Sequence, residues 1–292
     1  MSRKCFLVQG IEPGTEFIDL SPEASHHLEN VLRLRAGETV ELRDGQGNAW
    51  AGEIARIGKK TVSVRVLGKL DFPLVEPPIE ITLALGLAKA DVMDLVVRQA
   101  TEMGVAGLAI FRAARSQYTV LGKNAEKKAG RWSKIAGEAV CQCGRTRAPR
   151  IALHEDLDDF LGSLAPVAGS MASGPGPSAG PRNSGSLNSS PVPSVSGVLK
   201  VFGLEGEKDR GLESLKRSHP SCGVVLAAIG PEGGWEHSEV NKLVSAGFSP
   251  VHLGPRILRF ETAAVALISS IQLLWGDFGE AGRKENYENE MH

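Results

Sequence analysis

The 292-residue chain is short of several things, and each shortage closes off a class of protein. Its four cysteines, Cys5, Cys141, Cys143 and Cys222, have no zinc-ligand spacing and are too sparse for a disulfide-stapled secreted domain. Reduced thiols in a cytoplasmic protein, with no metal, are the expectation. Neither charge is in excess, with 33 Lys and Arg against 34 Asp and Glu. That balance excludes a uniformly basic nucleic-acid binder but leaves room for a local basic face. The most apolar long stretch, Thr262–Trp275, has 14 residues, short of the ~20 a membrane span needs. Met1–Val8 carries two basic residues and only a brief apolar run, so it does not read as a signal peptide. The phosphate-cradling patterns GxGxxG and GxxxxGKS/T are both missing, which disfavours a nucleotide phosphate as ligand.

What is present concentrates between Cys222 and Trp275. Gly223–Ile229 is a short apolar run with the β-branched content of a buried strand. It stops at the turn Gly230-Pro231-Glu232-Gly233-Gly234-Trp235. A helical pattern through Val240, Leu243 and Val244 follows and ends at Gly247. A second strand, Pro250–Leu253, stops at Gly254-Pro255-Arg256, and Ile257–Ala264 leads into an apolar helix ending near Trp275. In open α/β sheets ligands sit at the carboxyl ends of strands, where these two turns fall. Glycine lets the backbone approach a ligand closely. Glu232, inside the first turn, would repel a phosphate, so a phosphate-free ligand with a positive centre fits better. S-adenosylmethionine, a sulfonium with an adenine edge that backbone amides can read, is such a ligand.

The rest of the chain divides into two units. Residues 1–72 read as a small barrel of short strands (Phe6–Val8, Phe17–Ile18, Thr39–Leu42, Ala49–Ile57 and Thr61–Leu67). Ser21-Pro22 starts one short helix running to about Leu32, and Asp44–Asn48 is a hairpin turn. The proline-rich stretch from Asp71 to Pro78 marks the boundary. Residues 73–280 then alternate: strand Ile79–Leu87, helix Asp91–Met103, strand Leu108–Phe111, helix Lys123–Cys143, helix Asp156–Leu164 and strand Leu199–Leu204. That rhythm predicts a parallel sheet covered on both faces. About two-thirds of residues 168–197 are Gly, Pro or Ser, which predicts a disordered insertion. The polar tail 281–292 is expected to be flexible.

Ile229–Gly234 and Leu253–Ala263 resemble the two signature motifs of the RsmE-type 16S ribosomal RNA (uracil-N3) methyltransferases of the SPOUT superfamily. The resemblance implies an α/β fold: an N-terminal PUA-like β-barrel followed by a SPOUT-type, trefoil-knotted domain with a parallel sheet. It also implies S-adenosylmethionine as cofactor, 16S rRNA or the assembled small ribosomal subunit as substrate, and a homodimer. Its cofactor residues would be Leu204, Ile229, Gly230, Pro231, Glu232, Gly233, Gly234, Leu253, Gly254, Ile257, Leu258, Thr262 and Ala263. In the N-terminal unit, His27, Arg33 and Arg35 fall on the family's pattern; they read either as phosphate contacts or as a solvated face. Arg3 stands where the family has the first of two arginines; Lys4 replaces the second and lacks its bidentate fork. Lys89 and Arg115 would face RNA at the sheet rim. Gln142 and Arg145 lie in a stretch resembling the ERW…A…Q.GR..P motif, with Gly130 in place of its Glu. They would share a helix face if the helix continues through Gly144, or Arg145 would cap the helix end.

For methyl transfer, N3 of uracil must lose a proton, which calls for a base or for a cation that stabilises the anion. Arg259 or Arg256 is the expected cation, with Glu261 and Glu232 positioning; His252 reads as a packed strand side chain. A SPOUT methyltransferase acting on transfer RNA and a non-catalytic RNA-binding protein are the alternatives. The N-terminal barrel and the Arg256–Ala263 motif favour the first reading.

Overall fold

A computed structural model of the chain describes residues 4–58, 61–70, 76–118, 125–164 and 197–279. Arg3, the tail 281–292 and, but for Gly197, the expected insertion lie outside the described residues.

The N-terminal unit is a five-stranded mixed sheet in the order β1-β3-β4-β5-β2, built from β1 (Cys5–Leu7), β2 (Phe17–Asp19), β3 (Thr39–Arg43), β4 (Ala49–Ile57) and β5 (Val62–Leu70). β1 and β3 run parallel and the other pairs antiparallel. The β3–β4 hairpin is where the sequence predicts it. Asp44 closes it, its carboxylate accepting from the Gln46 and Asn48 amides at 2.7 and 3.0 Å. Helix α1 (Pro22–His26) starts with the Ser21 Oγ accepting the Ala24 amide at 3.2 Å, and a π-helical turn, His27–Val31, continues it. Phe6, Leu20, Leu28, Leu42, Ile54 and Val64 fill the core of this unit.

The second unit is a six-stranded, all-parallel sheet in the order β11-β9-β10-β6-β7-β8. Its strands are β6 (Glu80–Gly86), β7 (Gly107–Arg112), β8 (Arg150–Asp156), β9 (Val198–Gly203), β10 (Val224–Ile229) and β11 (Ser249–Val251). Period-two alternation sends Ile81, Leu83, Leu85, Val201, Val225 and Ala227 to one face. There they meet α2 (Ala90–Glu102), α3 (Ala125–Cys143), α5 (Leu212–Ser218) and α7 (Phe260–Trp275). Phe111, Phe202 and Ala228 point to the opposite face, against α4 (Leu157–Ser163) and α6 (His237–Ser245).

The sequence reading lacks two of these elements. β8 is an edge strand with no residue fully buried, and α5 buries only Leu212 and Leu215, so neither leaves a strong apolar period. The apolar helix ending near Trp275 finds most of its packing surface within the chain. α7 buries Phe260, Ala264, Leu267, Ile268, Ile271 and Trp275 against α2, α5 and β10. Among the described residues no helix is long and apolar enough to cross a membrane.

The two units are tied together. Arg43 of β3, 1% exposed, donates to the Val140 carbonyl at 3.1 Å and to that of Arg145. Gly47 N donates to Thr146 O at 3.0 Å.

Candidate active site

The strand order decides where the turns lie. Because β9 sits between β10 and β11, the carboxyl ends of all three emerge side by side. The Leu204–Glu207 loop, the 230–235 turn and the 252–259 turn therefore enclose one cavity of about 770 Å³. Leu204, Ile229, Gly230, Pro231, Glu232, Gly233, Gly234, Leu253, Gly254, Ile257, Leu258 and Ala263 all line it, as do Arg256, Arg259 and Glu261. Thr262 does not: it is exposed, turned away by the first turn of α7.

Each wall has a local cause. The first turn closes with Gly234 N donating to Pro231 O at 2.8 Å. Trp235 then tucks under it, its ring packed on Gly230 and its Nε1 donating to the Gly203 carbonyl at 2.8 Å. Gly86, ending β6, lets this turn lie close; a Cβ there would be 2.7 Å from Pro231 N. Arg115 forms a side wall, its Nη1 donating to Gly233 O at 3.1 Å. The α6 helix after the turn starts with Glu236 in place of a small capping residue. Glu239 compensates: its buried carboxylate accepts from Glu236 N and from Ala114 N, each at 2.9 Å.

Chemically the cavity is mixed. The Glu232, Gly233, Ile257 and Leu258 amides make no hydrogen bond among the described residues, so they are available to a ligand. Glu205, Glu207, Glu232 and Glu261 line it against Arg115, Arg256 and Arg259. The backbone N–H of Asp209, helped by that of Arg210, holds the Glu207 carboxyl below its ordinary value. Neither Arg256 nor Arg259 has a hydrogen-bond or ion-pair partner among the described residues. An unpaired cation facing a cavity suits a developing anion. Volume, free amides and excess carboxylate together fit S-adenosylmethionine, which is cationic at sulfur and free of phosphate.

The residues expected to meet RNA separate into two groups. His27, Arg33, Arg35, Lys89, Arg115 and Gln142 are exposed. His27 sits edge-on to Phe6, Arg33 has the only positive φ (55°) of a non-glycine among the described residues, and Lys89 bonds Asp91 at 3.0 Å. That bond to Asp91 raises the Lys89 ammonium above its ordinary pKa. Arg145 is the correction. The α3 helix does not continue through Gly144, which adopts φ 95° and turns the chain inward. Arg145 is 4% exposed, its guanidinium bonding Glu76 at 2.7 and 2.9 Å and the Thr101 and Val105 carbonyls at 2.7 and 3.0 Å. It holds the linker to the sheet and offers RNA nothing. Lys4, the other departure, pairs with Glu38 at 2.8 Å.

Residues 75–173 and 192–272 match the family described as RNA methyltransferase domain, and residues 20–67 match RNA methyltransferase PUA domain. The chain is 30% identical over 280 residues to the ribosomal RNA small subunit methyltransferase E of Bacillus subtilis, covering 92% of this chain and 96% of that one. The chain belongs to the ribosomal RNA small subunit methyltransferase E family. Another member, from Synechocystis, is 28% identical over 88% of this chain and 73% of its own. The enzyme of this family from Neisseria gonorrhoeae, solved bound to S-adenosyl methionine, superposes with a TM-score of 0.75 at 28% identity, over 94% of this chain and 99% of that one. A Legionella pneumophila protein solved with bound SAM gives 0.77 at 28%, over 95% and 100%.

Within this methyltransferase, the cavity also takes in Glu207, Trp235, His252 and Val92, none of them a residue the sequence marked for the cofactor. Glu205 carried a signal, since Leu204-Glu205-Gly206 is a third glycine-bearing strand end. Val92 of α2 carried none, because only packing brings it to the rim.

Proposed function

We propose that this methyltransferase transfers the methyl group of S-adenosylmethionine to N3 of one uridine in 16S rRNA, naked or in the small ribosomal subunit. The observation that carries the reading is the single cavity walled by both glycine turns, with two arginines at its edge that have no partner among the described residues. The free amides of the two turns would hold the adenine and the methionine ends, and Glu232 and the neighbouring carboxylates would favour the sulfonium. When bound, the cofactor supplies an electrophilic methyl group. The chain's own residues do the rest. Arg259, the N-cap residue of α7, and Arg256 face the cavity, where either stabilises a uracil deprotonated at N3. Glu261, two residues after Arg259 and lining the same cavity, would position that cation. Arg115, pinned to Gly233, fixes the rim against which the RNA lies. His27, Arg33, Arg35, Lys89 and Gln142 form an outer set of RNA contacts, which Arg3 extends.

We further propose a boundary near residue 72 between a closed PUA-like barrel and a catalytic domain of residues 73–280. That domain would carry the trefoil knot expected of SPOUT enzymes. A cytoplasmic homodimer is proposed, joined in part through the exposed Leu273 of α7. Isothermal titration with S-adenosylmethionine tests the site, and no heat at ~100 μM would overturn it. Mass mapping of small-subunit RNA from a deletion strain tests the substrate. One uridine lacking a methyl group is expected; loss from transfer RNA instead would overturn the assignment.

A further inference from the structure

We propose that His252 is a positioning residue for the second glycine turn, holding it in ligand-accepting shape only while the imidazole is neutral. The inference rests on the cofactor reading of the cavity. His252 follows directly on β11, and its backbone is anchored. His252 N donates to Arg210 O at 3.0 Å, and Leu204 N donates to Val251 O at 3.0 Å. From that fixed point the side chain folds back, and its Nδ1 accepts from the Gly254 amide at 3.3 Å. This contact, from one residue to the second after it, is the one an Asn or Asp side chain makes in an Asx turn. Among the described residues it is the only hydrogen bond made by residues 253–258. The turn has little else to define it: Gly254, Pro255, Arg256 and Ile257 are all exposed, and Gly254 adopts φ 94°.

The ring reaches the start of α5. Its far edge lies against Gly211, where a Cβ would stand 3.3 Å from Nε2 and 3.4 Å from Cε1. With Nδ1 accepting, the ring proton sits on Nε2. An imidazolium carries a proton on both nitrogens, so it would face the Gly254 N–H donor to donor. Protonation therefore removes the acceptor that defines the turn. The charged groups that share the cavity with His252 are Glu205 and Glu207 on the loop after β9, Arg256 and Arg259 on the turn, and Glu261 in α7. Across the cavity stand Glu232 and Arg115. Of these groups the imidazole is the one that touches the Gly254 amide, so its protonation is the one that removes the turn's acceptor.

The test is calorimetric titration of S-adenosylmethionine into the full chain from about pH 7.5 to 5.5, using wild type, His252→Asn and His252→Leu, with melting curves to verify folding. Asn keeps an acceptor for the Gly254 amide but does not titrate; Leu keeps none. Wild-type affinity is expected to fall about tenfold across the window, His252→Asn to stay level, and His252→Leu to be weak and level throughout. The ligand's own titration is common to all three proteins and cancels. A His252→Asn profile that follows wild type, or a folded His252→Leu that binds as tightly as wild type at pH 7.5, overturns the proposal while leaving the cofactor reading intact. No binding by wild type at any pH overturns both.

Discussion

The indole Nε1 of Trp235 donates to the carbonyl oxygen of Gly203 at 2.8 Å, joining the turn after β10 to the end of β9. Two walls of the cavity thus share one hydrogen bond. Trp235→Phe keeps a ring against Gly230 but leaves the Gly203 carbonyl without that donor. A loss of about 1–2 kcal/mol in stability is expected, with weaker S-adenosylmethionine binding. Urea unfolding and calorimetry on the same preparation check both, and a variant indistinguishable from wild type in both would remove Trp235 from the account.

Arg259 and Arg256 face the cavity without partners among the described residues. If one of them stabilises the uracil anion, its replacement by Ala should lower kcat by about 10²–10³-fold. Cofactor affinity should change only a few-fold. Single-turnover methylation of a small-subunit RNA substrate, run with each variant, identifies which arginine acts. Full activity in both would sink the assignment.

Arg145 and Glu76 form a buried pair, with side chains 4% and 14% exposed. Glu76 also accepts from the Thr146 and Arg147 amides at 3.0 and 2.9 Å. Arg145→Met leaves a buried carboxylate short of its main partner, and a loss of about 3–5 kcal/mol is expected. Chemical denaturation measures it. A well-folded Arg145→Met that had lost only RNA affinity would reinstate Arg145 as an RNA contact.

Asp277, after α7, has a buried Oδ1 with no hydrogen-bond partner among the described residues. Burial raises its carboxyl above the ordinary value. The sign follows from linkage: an acid whose folded pKa is raised binds its proton more readily in the folded state. Its charge therefore opposes folding at neutral pH, and that penalty fades as pH falls through the folded value. Asp277→Asn should melt higher than wild type at neutral pH, with the two curves converging towards pH 4. Parallel curves across the range would contradict the burial argument.

Gly86 and Gly254 are needed for different reasons. At Gly86 an added methyl meets the Pro231 backbone at 2.7 Å, so Gly86→Ala should displace the first turn and abolish measurable cofactor binding. At Gly254, φ 94° strains any other residue, by about 1–2 kcal/mol, so Gly254→Ala should weaken binding about tenfold. Titration of both variants against S-adenosylmethionine decides, with Gly86→Ala expected to be the worse.

Much of this was legible in the chain. Period-two strands such as Ile81-Thr82-Leu83, the capped start at Ser21-Pro22 and the glycine stops at Gly104 and Gly247 are local events, governed by residues a few positions apart. So are the two turns, whose motifs also carry the resemblance to the ribosomal RNA methyltransferases. The weak elements were not legible, because β8 at a sheet edge and the seven-residue α5 owe their existence to neighbours.

By itself, then, the sequence determined the two-unit organisation, the α/β class and the identity of the turn residues, since short-range sterics and hydrophobic period govern all three. Only the tertiary structure decided which of those residues meet. The strand order β11-β9-β10 brings two turns and a third loop to one cavity, and pairings between distant strands leave no local mark. It also decided the opposite fates of two arginines with similar motif standing. Arg259 faces the cavity with no partner among the described residues, whereas Gly144 turns Arg145 onto Glu76, 69 residues away in the chain. Burying a guanidinium requires acceptors on every side, and only a folded chain can supply them.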